Sequence, residues 1–531
     1  MIATGNSRSP VKTPSQPTRR PLRRFIAIAV SFALLCPPAW AQNRLPALGD
    51  PSGDDFSLAT EHKLGDEIMR EIRADPDYLD DPVLLEYLQS LWQPLVAQAR
   101  IRGNLSADID QRLAWEPFLV RDKEVNAFAL PGGYVGVNLG LIAMTTTRDE
   151  LASVLAHEMS HVTQRHIARS IGNAKRQSLM SLAAMLAGLV VASRAGSSSV
   201  DAAQAAVLGS QALAVQGQLN FSRDMEREAD RVGWQVMTGA GFSPGGMASM
   251  FEKMDQSSRL NDAGGYPYLR SHPLTTDRIG EARSRMGTVA PAATVSVLEH
   301  TLAQARARVM MDARFDALRR WQALDGDRVA ATVADKLLSA YSSALASTLL
   351  RDWARADASI AVALGLVRGN VRAERAVMLL NVQSLLARGD VTRATTALEP
   401  YQADASRPVL LLATQGALAA APPLAPDSAP LRQRAELLRT WVATRPNDAL
   451  AWTALGQVEE RLGQPLRAVR ADAESRVALG DLTGAVDRLQ AGQRRARSGG
   501  PVDFIDVSVI DARLRAVETQ IRQRKAEEKE K

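Results

Sequence analysis

His157-Glu158-Met159-Ser160-His161 constrains this chain more than any other stretch, because its side chains converge only on a helix. Residues four apart on an α-helix differ by about 40° in azimuth, so His157 and His161 leave the same face. Two imidazoles so placed can grip one zinc ion, with Glu158 beside them as an acid or base. The surrounding residues agree with a helix. Thr147-Arg148-Asp149-Glu150 has the Thr-x-x-Glu spacing of a capping box. Leu151, Val154, Leu155, Met159 and Val162 then recur at helical spacing and predict packing against a core.

Two histidines leave a catalytic zinc one protein ligand short. A third histidine from the same motif would stand at position 167 with a glycine at 164, and Ile167 and Gln164 rule that out. His166, nine residues from His157, would lie about 180° around a continuous helix and reads as a structural or supporting residue. The better candidate lies in Ser222-Arg223-Asp224-Met225-Glu226-Arg227-Glu228-Ala229-Asp230. Glu226 and Asp230 share a helical face, Glu226 as an oxygen ligand and Asp230 as acceptor for the second ring N–H of a ligand histidine. Glu228, about 200° from Glu226, is expected to face elsewhere and pair with Arg227 or Arg231. The competing reading is a solvated, charge-paired helix.

From Leu58 to about Arg102 the chain reads as helical, with breaks near Asp75-Pro76 and Asp81-Pro82. Residues 118–120, 125–130 and 134–137 read as strands, and Pro131-Gly132-Gly133 makes a hairpin of the last two. Its edge could take an extended peptide by main-chain hydrogen bonding; an ordinary sheet is the alternative. Residues 179–192 are strongly apolar but short for a membrane span. With 200–219 they read as a helical hairpin that lids the site, touches a membrane surface or packs in a core. From about 300 onward Ala-, Leu- and Arg-rich helices are punctuated by Gly389-Asp390, Gly463-Gln464 and Gly480-Asp481. The last two glycines are 17 residues apart, half of a 34-residue tetratricopeptide unit. Trp452-x-x-Leu455-Gly456 resembles the opening of that unit and Tyr341-Ser-Ser-Ala344 its middle. A solenoid over 300–515 would offer concave surfaces to protein partners, and 516–531 reads as a disordered charged tail.

Arg19, Arg20, Arg23 and Arg24 precede an apolar run over 25–35, and Ala39-Trp40-Ala41 offers a cleavage site. Residues 1–41 therefore read as an export signal, with Gln42 as the first residue left. They hold six basic residues and no acid, so the formal charge of +6 vanishes with them, leaving 58 basic against 58 acidic residues. No basic field for nucleic acid remains. Cys36, the only cysteine, lies in that segment between Leu35 and Pro37, a poor setting for acylation. The rest of the chain has no thiol, which excludes disulfides and cysteine chemistry. Export without a retained span predicts the periplasm of a Gram-negative bacterium.

The His-Glu-x-x-His motif, followed by Ser-Arg-x-x-Glu-x-x-Ala-Asp, resembles the M48 family of zinc metallopeptidases. Asn126-Ala-Phe-Ala-x-Pro-Gly-Gly133 is similar to that family's active-site strand and turn, and the likeness runs over roughly 55–285. It implies an α+β, mainly α chain: a zincin-like domain with a small β-sheet over 42–295, then a tetratricopeptide-like helical domain over 300–515. It also implies one zinc per subunit on His157, His161 and Glu226, with Glu158 as catalytic acid/base and Asp230 as supporting carboxylate. Asn126, Ala127 and Phe128 would form the substrate strand. His272-Pro273-Leu274 with Arg278 resembles a segment that overhangs the cleft, where a histidine can fill the open zinc position and hold the enzyme off. Arg278 would steady an oxyanion or hold that loop. His62 and His300 have no such context and are expected at the surface. With the export signal and the helices, the resemblance implies a periplasmic endopeptidase that promotes assembling outer-membrane β-barrel proteins and degrades stalled ones. It would contact them and their assembly machinery through the helices. The rival readings are a non-proteolytic chaperone or scaffold, and a non-proteolytic zinc hydrolase, which the hairpin and repeats disfavour.

Overall fold

Helix caps set where the first elements begin. The computed structural model describes residues 56–172, 222–260, 267–286, 297–326, 332–497 and 504–530. The Ser57 side chain opens α1 (Leu58–Ala74) and that of Asp81 opens α2 (Pro82–Ile101), each accepting a backbone N–H. Between them lies β1 (Tyr78–Leu79), a strand too short to leave a periodic trace in the sequence. After α3 (Ala107–Arg112) come β2 (Glu116–Val120), β3 (Ala127–Leu130) and β4 (Tyr134–Asn138). The sheet order is β1-β2-β4-β3, with β2 and β4 parallel and the other pairs antiparallel. The expected hairpin is present, and its turn depends on Gly132 and Gly133 at φ of 81° and 85°.

β4 is buried at all five positions because both faces of the sheet are covered. Ile68, Met69 and Ile72 of α1 pack with Phe118, Leu130 and Tyr134 on one side. Leu88 and Trp92 of α2 join Leu119, Val135 and Val137 on the other. β3 is left at the edge. Asn138 N–H bonds Asn126 C=O, so by antiparallel alternation the main-chain groups of Ala127 and Ala129 face away from β4.

Beyond α4 (Leu139–Met144), the His-Glu-x-x-His segment forms α5 (Arg148–Thr163), buried from Asp149 to Thr163. The capping box is half formed. Thr147 accepts the Glu150 N–H, but the Glu150 carboxylate takes the N–H of Thr146, because Ser249 and Lys253 hold it there. After Arg165, at φ 52°, α6 (His166–Gly172) starts in a new direction. α7 (Arg223–Gly239) and α8 (Gly245–Leu260) pack on α5, followed by α9 (Pro267–Ser271) and α10 (Thr276–Met286).

From α11 (Val297–Met310) onward the chain is helical, and Gly389, Gly463 and Gly480 end helices at φ of 71° to 83°. Three arginines tie these helices to the N-terminal half: Arg306 to Asp81, Arg375 to Glu86 and Arg407 to Asp80. Gly480 lies against Arg70 of α1, so the later helices also touch the N-terminal half there. Residues 516–530, expected to be disordered, continue the helix Phe504–Glu530, anchored through buried Ile510, Leu514 and Val517. The expected export signal, Cys36 and the apolar stretch 179–192 lie outside the described residues. No described helix is long and apolar enough to cross a membrane.

Candidate metal centre

Two helices meet at the site, and a glycine lets them meet closely. A Cβ on Gly233 of α7 would stand 3.0 Å from Ala156 O and 3.1 Å from His157 N, so the α7 backbone rides directly on α5 beside His157. One and two turns earlier, α7 presents Asp230 and Glu226, both buried, to the histidine face of α5. Their approach gathers one ligand atom each from His157, His161, Glu226 and His272 within 4.8 Å of one another.

The separations match a small tetrahedral cation. His157 Nε2 is 3.0 Å from His161 Nε2, and Glu226 is 3.4 Å from each of those nitrogens. His272 Nδ1 is 3.0 Å from Glu226 Oε1 and 3.4 Å from His157 Nε2. Donors about 2.0–2.1 Å from a tetrahedral zinc stand roughly 3.4 Å apart. Imidazoles with one carboxylate suit zinc far better than the all-oxygen shells of calcium or magnesium. Glu158 Oε1 is buried without a hydrogen bond, 3.5 Å from His272 Nε2, while its Oε2 accepts the Ala129 N–H at 3.0 Å. The residues fit a zinc ion.

The carboxylates around the cage set its charge. Burial opposes the negative charge of Glu226, but His272 and His157 outweigh it and hold the carboxyl well below the usual range. Burial likewise works against protonating His157, and Asp230, with Oδ1 2.9 Å from Nδ1, joins Glu226 in raising it to about 10. Burial raises Glu158 despite the attraction of His272 and His157, as a proton carrier needs. Arg278 is locked: Nε and Nη2 grip Asp230 at 2.7 and 2.8 Å, and Nη1 lies 2.8 Å from Glu226 and donates to Pro273 O at 2.9 Å. That geometry holds the His272 loop. Tyr268 stacks on His272 with ring centroids 4.7 Å apart.

His157, Glu158, His161, Glu226, Asp230, His272 and Arg278 thus come together. The edge strand reaches Glu158 through the Ala129 N–H; Ala127 and Phe128 lie on β3, and Asn126 just precedes it. Three expectations are corrected. His166 does not point away from the ligands: Arg165 breaks the helix, and His166 Nδ1 returns to 2.9 Å from His161 Nδ1. Glu228 pairs not with Arg227 or Arg231 but with His166 at 3.1 Å and Arg169 at 3.0 Å. Burial pulls His166 down to about 4, so its ring is neutral. His300 is buried rather than exposed, bonded to Tyr87 Oη and Thr145 O, whereas His62 is half exposed beside Asp66. Nothing in the motif spacing marks Tyr268 or Gly233, and the supporting role read for His166 carried no indication of which ligand it would face.

The peptidase family M48 model matches residues 87–286. A Vibrio cholerae protein provisionally named a β-barrel assembly-enhancing protease is 34% identical over 345 residues, covering 64% of this chain and 67% of that relative. The β-barrel assembly-enhancing protease of Escherichia coli K12 is 28% identical over 469 residues, covering 87% of this chain and 90% of its own. The mitochondrial metalloendopeptidase OMA1 of Schizosaccharomyces pombe is 30% identical over 238 residues, 43% of this chain and 61% of that relative.

Proposed function

The chain belongs to peptidase family M48, and on that premise we propose that it is a zinc endopeptidase of the Gram-negative periplasm acting on outer-membrane β-barrel proteins. The observation that carries this reading is one buried cage of His157, His161 and Glu226, with Glu158 beside it and hydrogen-bonded to the edge strand β3. His157 Nε2, His161 Nε2 and a Glu226 oxygen would hold one zinc per subunit. Bound there, zinc would supply Lewis-acid polarisation of water and of the substrate carbonyl. Asp230 Oδ1, 2.9 Å from His157 Nδ1, would accept the Nδ1 proton and keep Nε2 for the ion. Glu158 takes a proton from the attacking water, the peptide C–N bond breaks, and Glu158 returns the proton to the leaving amine. Ala127 and the Ala129 C=O would offer an extended peptide main-chain partners, with Asn126 and Phe128 flanking them, while the Ala129 N–H is held by Glu158.

His272 brings the protein donors to four and leaves no open position, which favours a latent resting form. Activity then requires His272 to withdraw, against its stacking on Tyr268 and the grip of Arg278 on Pro273. The relatives named for β-barrel assembly support stalled β-barrel proteins as substrates, and assembling ones with their machinery as partners of a chaperone-like helical half of tetratricopeptide type. Export through the 1–41 signal and a peripheral membrane contact through 179–192 belong to the same reading.

Glu158→Gln tests it. The variant is expected to retain zinc, lose casein cleavage by about 100-fold or more, and fail to clear stalled β-barrel proteins in cells lacking the wild-type chain. Undiminished cleavage rejects the role of Glu158. Full complementation without cleavage would favour the rival reading, a non-proteolytic scaffold.

A further inference from the structure

His166 is buried and sits behind the metal cage with like nitrogens facing: its Nδ1 is 2.9 Å from Nδ1 of His161. Two imidazole nitrogens at that distance share one proton, and the rest of the chain decides its owner. On the far side His166 Nε2 meets Glu228 Oε2 at 3.1 Å, and Arg169 Nη1 meets the same oxygen at 3.0 Å. An arginine-paired carboxylate only accepts, so His166 Nε2 carries a proton. If His161 Nε2 binds the ion, a neutral His161 ring carries its proton at Nδ1, and the facing His166 Nδ1 at 2.9 Å is the acceptor. His161 Nδ1 is then the donor, and its Nε2, the atom facing His157 and Glu226, keeps a lone pair.

We infer that His166 is a positioning residue for the metal centre: with Glu228 behind it, it fixes the His161 tautomer that leaves Nε2 for the ion. The inference deepens the zinc reading above and rests on it. The two ligand histidines are thereby oriented by different chemistry. Asp230 reaches His157 directly, whereas Glu228 reaches His161 through an interposed imidazole. Glu226, Glu228 and Asp230 all stand on α7, so one helix supplies the ligand oxygen and both orienting carboxylates. The left-handed residue Arg165 belongs to the device, because without that break the ring of His166 would leave the opposite side of α5.

The test is zinc affinity of the full chain, read by chelator competition beside the melting temperature of the metal-free protein. His166→Phe keeps a ring but removes the acceptor and is expected to weaken zinc binding by about 10- to 100-fold. His166→Asn places an amide oxygen near the old Nδ1 and is expected to recover most of that loss. Glu228→Ala, partly exposed and mild for folding, is expected to weaken binding severalfold and stands in if His166→Phe does not fold. Zinc binding of His166→Phe at parity with the wild type overturns the inference, as does equal loss in His166→Phe and His166→Asn. A wild-type chain that takes up no zinc overturns the metal reading itself, and this inference with it.

Discussion

His300 illustrates how a single buried ring can tie stability to pH away from the metal. It sits between Tyr87 Oη at 2.7 Å and Thr145 O at 2.9 Å, and burial, partly offset by the Thr145 carbonyl, pulls it from 6.5 to about 4. Between those values the unfolded chain binds a proton that the folded chain refuses, so stability is complete above pH 6.5 and falls as pH drops toward 4. From pH 7 to pH 5 this amounts to about 2 kcal/mol. Urea unfolding at the two pH values checks it: His300→Gln is expected to lose about 2 kcal/mol less than the wild type. Equal losses would mean that His300 does not report on the acid side. No neighbour along the chain distinguishes this histidine, since both of its partners come from elements more than 150 residues away.

The meeting of α5 and α7 depends on the missing side chain at Gly233. Gly233→Val would push α7 from α5 and move Glu226 and Asp230 with it. It is expected to lower stability by about 1–3 kcal/mol and to weaken zinc binding. Gly280→Ala in α10, where a new Cβ meets nothing within 4 Å, should instead be neutral or stabilising by up to about 1 kcal/mol. Denaturant midpoints and zinc titration of the two variants separate the cases, and unchanged zinc affinity in Gly233→Val would count against a close crossing. What was legible in advance followed the periodicity of each element. The face of α5 was readable from His157 and His161, the α7 carboxylates from Glu226 and Asp230, and the hairpin from its Pro-Gly-Gly turn. Features set between elements were not readable: the two-residue β1, the redirected His166, and the half-formed cap whose Glu150 is claimed by α8.

The molecule's two halves are joined by a buried ion pair. Arg306 Nε and Nη2 each lie 2.7 Å from Asp81, and Nη1 lies 3.2 Å from Tyr341 Oη and from Gln383 Oε1. Both members of the pair are almost wholly buried, and Asp81 also caps α2 through the Leu84 N–H. Arg306→Met strands the Asp81 carboxylate and is expected to lower stability by about 3–5 kcal/mol. Asp81→Asn combined with Arg306→Met should fall short of the summed single effects by about 1–3 kcal/mol, which urea unfolding of the four proteins measures. Strict additivity would show that the two halves do not depend on this pair. The partnership was beyond reach of the sequence, because Asp81 and Arg306 are 225 residues apart and no local pattern relates them.

All of the proposed chemistry requires one ion between α5 and α7. Anomalous diffraction at the zinc edge from crystals of the zinc-loaded chain would locate it. The expected result is one peak per chain, about 2 Å from His157 Nε2, His161 Nε2 and a Glu226 oxygen. A map with no peak there, and Glu226 turned away from both imidazoles, would contradict it.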